Sequence, residues 1–122
     1  MIGGMCHCGA VRWTFEGQPD HLTRCNCSIC RRYAGLWAYG TAANVVVTAA
    51  PEATLAYVYG DRMIAFHSCR TCGCTTHYLG LIDEDGGRRV VVNMRMAAPG
   101  DIADIPVWDF DGAESWTFLS KG

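Results

Sequence analysis

The sequence predicts a small, mainly β domain held together by metal, and three observations lead there. Short apolar stretches of period two alternate with turns bearing Gly, Pro and Asp along most of the chain. Half of the 122 residues are hydrophobic, enough for one domain over residues 1–122 to bury its own core. Eight cysteines fall into tight clusters spaced C-x-C, C-x-C-x-x-C and C-x-x-C, the spacing of metal ligands rather than of a disulfide framework.

The elements follow in chain order. Val11, Trp13 and Phe15 share one face of a strand over 10–15, directly after Cys6-His7-Cys8-Gly9. Residues 16–20 break the pattern, and 21–24 lead extended into Cys25-Asn26-Cys27-Ser28-Ile29-Cys30. Residues 31–35 predict one helical turn ended by Gly35. Strands are expected over 36–41 and 45–48, with a turn at 49–53. A hairpin is expected next, pairing 54–59 with 63–68 across Gly60-Asp61. It delivers Cys69-Arg70-Thr71-Cys72-Gly73-Cys74, where Gly73 suits a left-handed position. A second hairpin joins 77–82 to 88–96 through the acidic, Gly-rich turn at 83–87, which lacks the ligand pattern of a calcium loop. Residues 97–101 read as a loop. Trp108, Phe110, Trp116 and Phe118 read as late strands or an ordered loop over the core.

Ten Lys plus Arg against twelve Asp plus Glu give a net charge of −2, no footprint for a nucleic-acid backbone. The amino terminus has no basic stretch followed by an apolar run, and nothing approaches the length of a membrane span. The expected protein is therefore cytoplasmic, without a membrane or nucleic-acid partner. The oligomeric state is not specified.

Cys25, Cys27 and Cys30 are too close to be unrelated core thiols. Zinc binds thiolates at about 2.3 Å in a tetrahedron, and a tight turn presenting side chains two and three positions apart supplies such a geometry. Zinc is favoured over iron because the spacing is that of tetrahedral sites without a cluster motif. Cys6 and Cys8 with Cys69 and Cys72 make a closed set of four, although Cys6 and Cys8 with the central triplet is an open alternative. Cys74 is then a candidate fourth ligand of the second site, or a buried small residue. His7, His67 and His77 lie near these clusters as candidate ligands or proton shuttles, with supporting or surface roles favoured. Tyr33, Trp37 and Tyr39 are candidate pocket walls, with core packing favoured.

Cys6-His7-Cys8-Gly9-Ala10-Val11, the run from Cys25 to Arg32, Cys69-Arg70-Thr71-Cys72-Gly73 and Val92-Asn93 resemble the glutathione-dependent formaldehyde-activating enzyme family, which includes centromere protein V-like domains. The resemblance implies an Mss4-like β-tent with two zincs per chain. It implies a structural zinc at Cys6, Cys8, Cys69 and Cys72, and a catalytic zinc at Cys25, Cys27 and Cys30. It further implies a carbon–sulfur lyase that joins glutathione and formaldehyde, a thiol and a small aldehyde, into S-hydroxymethylglutathione. Under that reading Arg31 and Arg32 are the candidates to grip the carboxylates of glutathione. Cys74 is a departure from the family pattern. If it closes the second site, two four-thiolate sites would make the chain a non-catalytic protein-interaction module instead.

Overall fold

A computed structural model describes residues 1–122. Eleven strands form two sheets. The small antiparallel sheet has the order β1 (Ile2–Met5), β2 (Arg12–Phe15), β5 (Val45–Thr48). The large sheet begins with β11 (Phe118–Lys121), β10 (Val107–Phe110), β3 (Leu22–Cys25) and β4 (Trp37–Thr41). It continues through β9 (Arg89–Asn93), β8 (Thr75–Gly80), β7 (Ile64–Cys69) and β6 (Thr54–Tyr57). β3 and β10 run parallel, which places Phe110 beside Cys25. Two one-turn helices, α1 (Cys30–Tyr33) and α2 (Pro99–Ile102), and a 3-10 turn at Met94–Met96 complete the fold.

The middle of the large sheet is covered on both faces. Ala38 and Val92 join Ile2, Trp13, Phe15 and Val45 in the core between the sheets. Trp37 and Val91 point the other way, into a second cluster with Cys30, Phe66 and Tyr78. Burial on both faces explains why Val90-Val91-Val92 is a continuous apolar run rather than an alternating one. Trp37 and Phe66 anchor the second cluster, and each such side chain, fully buried, contributes on the order of 2–3 kcal/mol.

Several elements differ from expectation for local reasons. β1 is absent from the sequence reading because Ile-Gly-Gly-Met carries almost no strand signal. It forms because Gly4 pairs with Trp13, whose indole lies where a β-carbon of residue 4 would sit. The second strand starts at Arg12 rather than at residue 10, because the main-chain N–H of Val11 donates to Cys6 Sγ at 3.3 Å. The helical turn ends at Ala34, in the left-handed region with φ 53°, one residue before Gly35. Gly35 is required instead by the Trp37 indole packed over it. β9 stops at Asn93, because its buried amide accepts from the N–H groups of Leu36 and Arg95, each at 3.1 Å, and donates to the Thr75 carbonyl at 2.9 Å. Residues 97–101, expected as a loop, contain the start of α2, with Pro99 in its first turn. The acidic turn is held by ion pairs, Arg88 with Asp83 at 2.9 Å and Arg89 with Glu84 at 3.0 Å.

His67 and His77 are register partners on β7 and β8, and their rings stack at 4.7 Å between centroids. The Nδ1 atoms pair with the hydroxyls of Thr54 at 2.9 Å and Thr76 at 2.8 Å. Burial pushes His77 down to about 4, and the neighbouring His67 adds to the effect. Unfolding frees His77 to bind a proton below about 6.5, so its contribution is complete above that pH and is lost as pH falls toward 4. The shift corresponds to about 3 kcal/mol. Denaturant titrations of the wild type and His77→Gln between pH 7 and 4 are expected to converge by that order. Parallel pH dependences in the two proteins would refute it.

Candidate metal centres and the adjoining cavity

Cys6 and Cys8 lie between β1 and β2, while Cys69 ends β7 and Cys72 sits in the turn to β8. The folded topology brings these four together, with all Sγ atoms within 4.8 Å of one another. Cys8 Sγ is 3.7 Å from Cys6 Sγ and 3.6 Å from Cys69 Sγ. Those separations are far beyond the roughly 2.05 Å of a disulfide, and they match sulfurs sharing one tetrahedral ion of about 2.3 Å bond length. Main-chain N–H groups point at the sulfurs, from Val11 to Cys6 at 3.3 Å and from Thr71 to Cys69 at 3.4 Å. N–H groups of Cys74 and Cys8 hold the Cys72 thiol down to about 5, so it ionises readily. Gly73 adopts φ +81°, the left-handed turn expected of it. The set of four ties the small sheet to the large one.

Cys25 ends β3, Cys27 lies in the following turn and Cys30 starts α1. Their Sγ atoms also lie within 4.8 Å of one another. The N–H of Cys27 donates to Cys25 Sγ and that of Cys30 to Cys27 Sγ, both at 3.4 Å. A hydrogen bond from Cys30 pulls the Cys25 thiol down to about 6, and the Cys30 thiol is raised by the same contact and by burial. Each group thus holds one readily ionised sulfur, Cys72 or Cys25, beside one that is pushed up, Cys8 to about 11 and Cys30 by its contact with Cys25, and the converging all-sulfur donor sets fit a thiophilic ion.

Cys74 corrects one expectation. Its thiol lies beside Cys72 and Cys6, facing the His7 main-chain N–H, and it joins neither sulfur group. The reason is local: the Cys69 N–H to Cys74 carbonyl bond, at 2.9 Å, closes the turn around Cys72 and starts β8. No fourth Cys, His, Asp or Glu atom completes the triplet, so the arrangement of two closed four-thiolate sites is not the one observed. His7, His67 and His77 belong to neither group.

A cavity of about 470 Å³ adjoins the triplet, with Cys25 and Cys30 in its wall. Arg31 lines it and enters none of the ion pairs. Arg32 does not line it, because its guanidinium donates to the Ser28 carbonyl at 2.6 Å and clasps the helical turn. Two further cations that sequence reasoning missed come from distant elements. Arg95 lines the cavity from the 3-10 turn and donates to the Ala34 carbonyl, and Arg24 lines it paired with Asp109 at 2.6 Å. No local sequence signal marks either arginine. Trp37 is core, and neither Tyr33 nor Tyr39 lines this cavity.

The sequence pattern described as "Glutathione-dependent formaldehyde-activating enzyme" matches residues 1–103. The chain belongs to this family. A Halomonas elongata member, provisionally named a glutathione-dependent formaldehyde-activating enzyme, is 35% identical over 81 residues, 59% of this chain and 52% of that protein. The chain thus spans about half the length of that curated relative. A crystal structure of a Rhodobacter sphaeroides protein superposes with a TM-score of 0.67 at 29% identity, covering 87% of this chain and 99% of the other.

Proposed function

We propose that the chain is a zinc-dependent, carbon–sulfur lyase-type member of the family that joins a glutathione-like thiol to formaldehyde. The observation that carries this reading is the three-sulfur group without a fourth protein ligand, set in the wall of a cavity edged by guanidinium groups. A closed site would have no exchangeable position. In this reading Cys6, Cys8, Cys69 and Cys72 hold a structural zinc, Cys25, Cys27 and Cys30 hold the catalytic one, and residues 1–122 form a single Mss4-like β-tent domain. A reducing cytoplasm suits eight free thiols.

The chemistry supplied by a bound zinc is a lowered thiol pKa at an exchangeable coordination position. The chain's own residues bind and orient the reactants. Arg31, unpaired and facing the cavity, grips a carboxylate of the thiol, and Arg95 offers a second cation across the Ala34-Gly35 turn. The Arg24–Asp109 pair presents both signs to a zwitterionic peptide. The thiolate so placed attacks the aldehyde carbon: a C–S bond forms, the C=O π bond breaks, and the oxygen takes a proton from solvent. The thiol's own proton is released, so the sum is a neutral hydroxymethyl thioether. Reversal breaks the C–S bond.

The test is exchange NMR of glutathione with formaldehyde, with zinc-loaded protein added. Acceleration above the protein-free rate is expected, and its absence at two zincs per chain would sink the activity. Arg31→Ala is expected to raise KM for the thiol about tenfold with kcat nearly unchanged, the pattern of a lost charge-assisted contact. Arg32→Ala, which removes a clasp outside the cavity, is expected to change KM less than about twofold. Equal effects of the two substitutions would reassign the anion grip.

A further inference from the structure

Residues 111–117 connect β10 to β11 beyond the matched span 1–103, and the 111–116 loop within them closes against the three-sulfur group. The loop is tightly built. The Asp111 carboxylate accepts from the N–H of Glu114 at 3.3 Å, the N–H of Ser115 at 3.1 Å and the Ser115 hydroxyl at 2.9 Å. The Trp116 N–H donates to the Asp111 carbonyl at 2.7 Å. Trp116 itself has φ +58°, left-handed for a residue with a β-carbon, and the residue is 71% exposed. A loop that keeps a strained backbone to present an exposed ring is not explained by core packing.

Asn26, between the first two cysteines of the triplet, ties the loop down. Its Nδ2 donates to Asp111 Oδ1 and its Oδ1 accepts from the Ala113 N–H, both at 3.0 Å. Its main-chain N–H donates to the Phe110 carbonyl at 3.2 Å. This docking lays Gly112 on the sulfurs. A β-carbon at Gly112 would stand 2.7 Å from Cys25 Sγ, closer than real β-carbons approach any atom, and 3.1 Å from Cys27 Cβ, a tight contact. The Gly112 N–H is among the groups facing the Cys25 sulfur. Its φ is not left-handed, so glycine is required by this close approach and not by backbone conformation.

We propose that the 111–116 loop is a built cover of the three-sulfur site, in which Gly112 is a positioning residue that holds Cys25 in its metal-binding orientation and Asn26 is the latch. The inference rests on the reading that Cys25, Cys27 and Cys30 hold a metal ion. Gly112 leaves the sulfur free to turn toward the ion while a backbone N–H supports its negative charge. Any side chain there pushes Cys25 out of the set. Asn26 sets the distance, because both ends of its amide engage the loop.

Cobalt(II) titration of the full chain reads this directly, since thiolate-to-cobalt absorption reports each sulfur site. Wild-type protein is expected to bind two ions. In Gly112→Ala the three-sulfur site is expected to weaken at least tenfold while the four-sulfur site fills as before. Glu114→Ala, in the same loop with a side chain that bonds nothing, is expected to match wild type. Two cobalt ions bound to Gly112→Ala with wild-type affinity and spectrum would overturn the proposal. Should Gly112→Ala not fold, Asn26→Ala decides: about fivefold or greater weakening of the same site supports the latch, and wild-type affinity overturns it. Because affinity is read without turnover, the two readings fail separately. Absent thiol–aldehyde exchange with a weakened Gly112→Ala removes the activity and leaves the cover. Normal exchange with an unweakened Gly112→Ala does the reverse.

Discussion

Cys69→Ser is expected to abolish the cooperative fold. Cys69 is 2% exposed, and its sulfur meets that of Cys8 across 61 residues of chain, joining the two sheets. A structural thiolate site contributes roughly 10–16 kcal/mol of apparent free energy in small zinc domains, against roughly 5–15 kcal/mol of total stability for an ordinary domain. If these four sulfurs hold a zinc, losing one of them therefore removes an amount comparable with the whole. Serine brings a poor ligand and leaves three sulfurs converging with nothing to neutralise them. The measurement is thermal unfolding by circular dichroism alongside bound metal. Cys69→Ser should give no cooperative transition, or a midpoint lowered by more than about 15 °C, with the metal of that site lost. Cys74→Ser is the internal comparison: its thiol lies next to the same group but outside it, so a midpoint within about 5 °C of wild type is expected. A Cys69→Ser protein that melts like wild type would show that the two sheets hold together without this site.

The two cysteine substitutions mark where sequence legibility ended. The local clusters Cys6/Cys8, Cys25/Cys27/Cys30 and Cys69/Cys72 were readable because cysteines two or three residues apart in a turn point together, but spacing left open which clusters combine, a choice made by the fold. Cys74 was not readable, because C-x-x-C-G-C allows either its second or its third cysteine to face inward. The choice is made by a backbone bond from Cys69 and the left-handed Gly73. Arg31 and Arg32 pose the same problem on a helix. Adjacent residues point about 100° apart, so one faces the cavity while the other folds back on Ser28. Arg24, Arg95 and Gly112 carry no local signal at all; they reach the site through the parallel β3–β10 pairing, a 3-10 turn and a loop, all tertiary events.

The same logic governs the strands. Val45–Thr48 was readable in full, since four β-branched residues in a row favour a strand. β1 was invisible because Ile-Gly-Gly-Met carries little strand signal, and its Gly4 reflects the demands of Trp13 and not of strand propensity. The aromatic tail was readable as late strands but not in its packing, since Trp108, Phe110 and Phe118 pack on one another outside the core. That it makes two strands follows from pairing with β3, the strand that delivers Cys25, so the tail builds the site's wall and, beyond Val107, does not cover the core.

Cys27→Ser is expected to separate activity from folding. Cys27 is partly exposed in the turn between β3 and α1, and its sulfur is contributed by no strand. The flanking Cys25 and Cys30 are anchored by β3 and by the cluster around Trp37 and Phe66, so they keep their places when Cys27 changes. Removing one of three sulfurs from a site that already lacks a fourth protein ligand leaves too few donors to hold an ion. If that ion lowers the pKa of the incoming thiol, its loss is worth several kcal/mol at the transition state, and kcat/KM for thiol plus aldehyde should fall by about a thousandfold. Thermal stability should stay within about 5 °C of wild type and one metal per chain should remain, in contrast to the collapse expected of Cys69→Ser. The outcome that contradicts this is equally sharp. A Cys27→Ser chain with one metal and undiminished exchange activity would place the chemistry outside the three-sulfur group, while one that unfolds would make both sulfur groups structural staples of the fold.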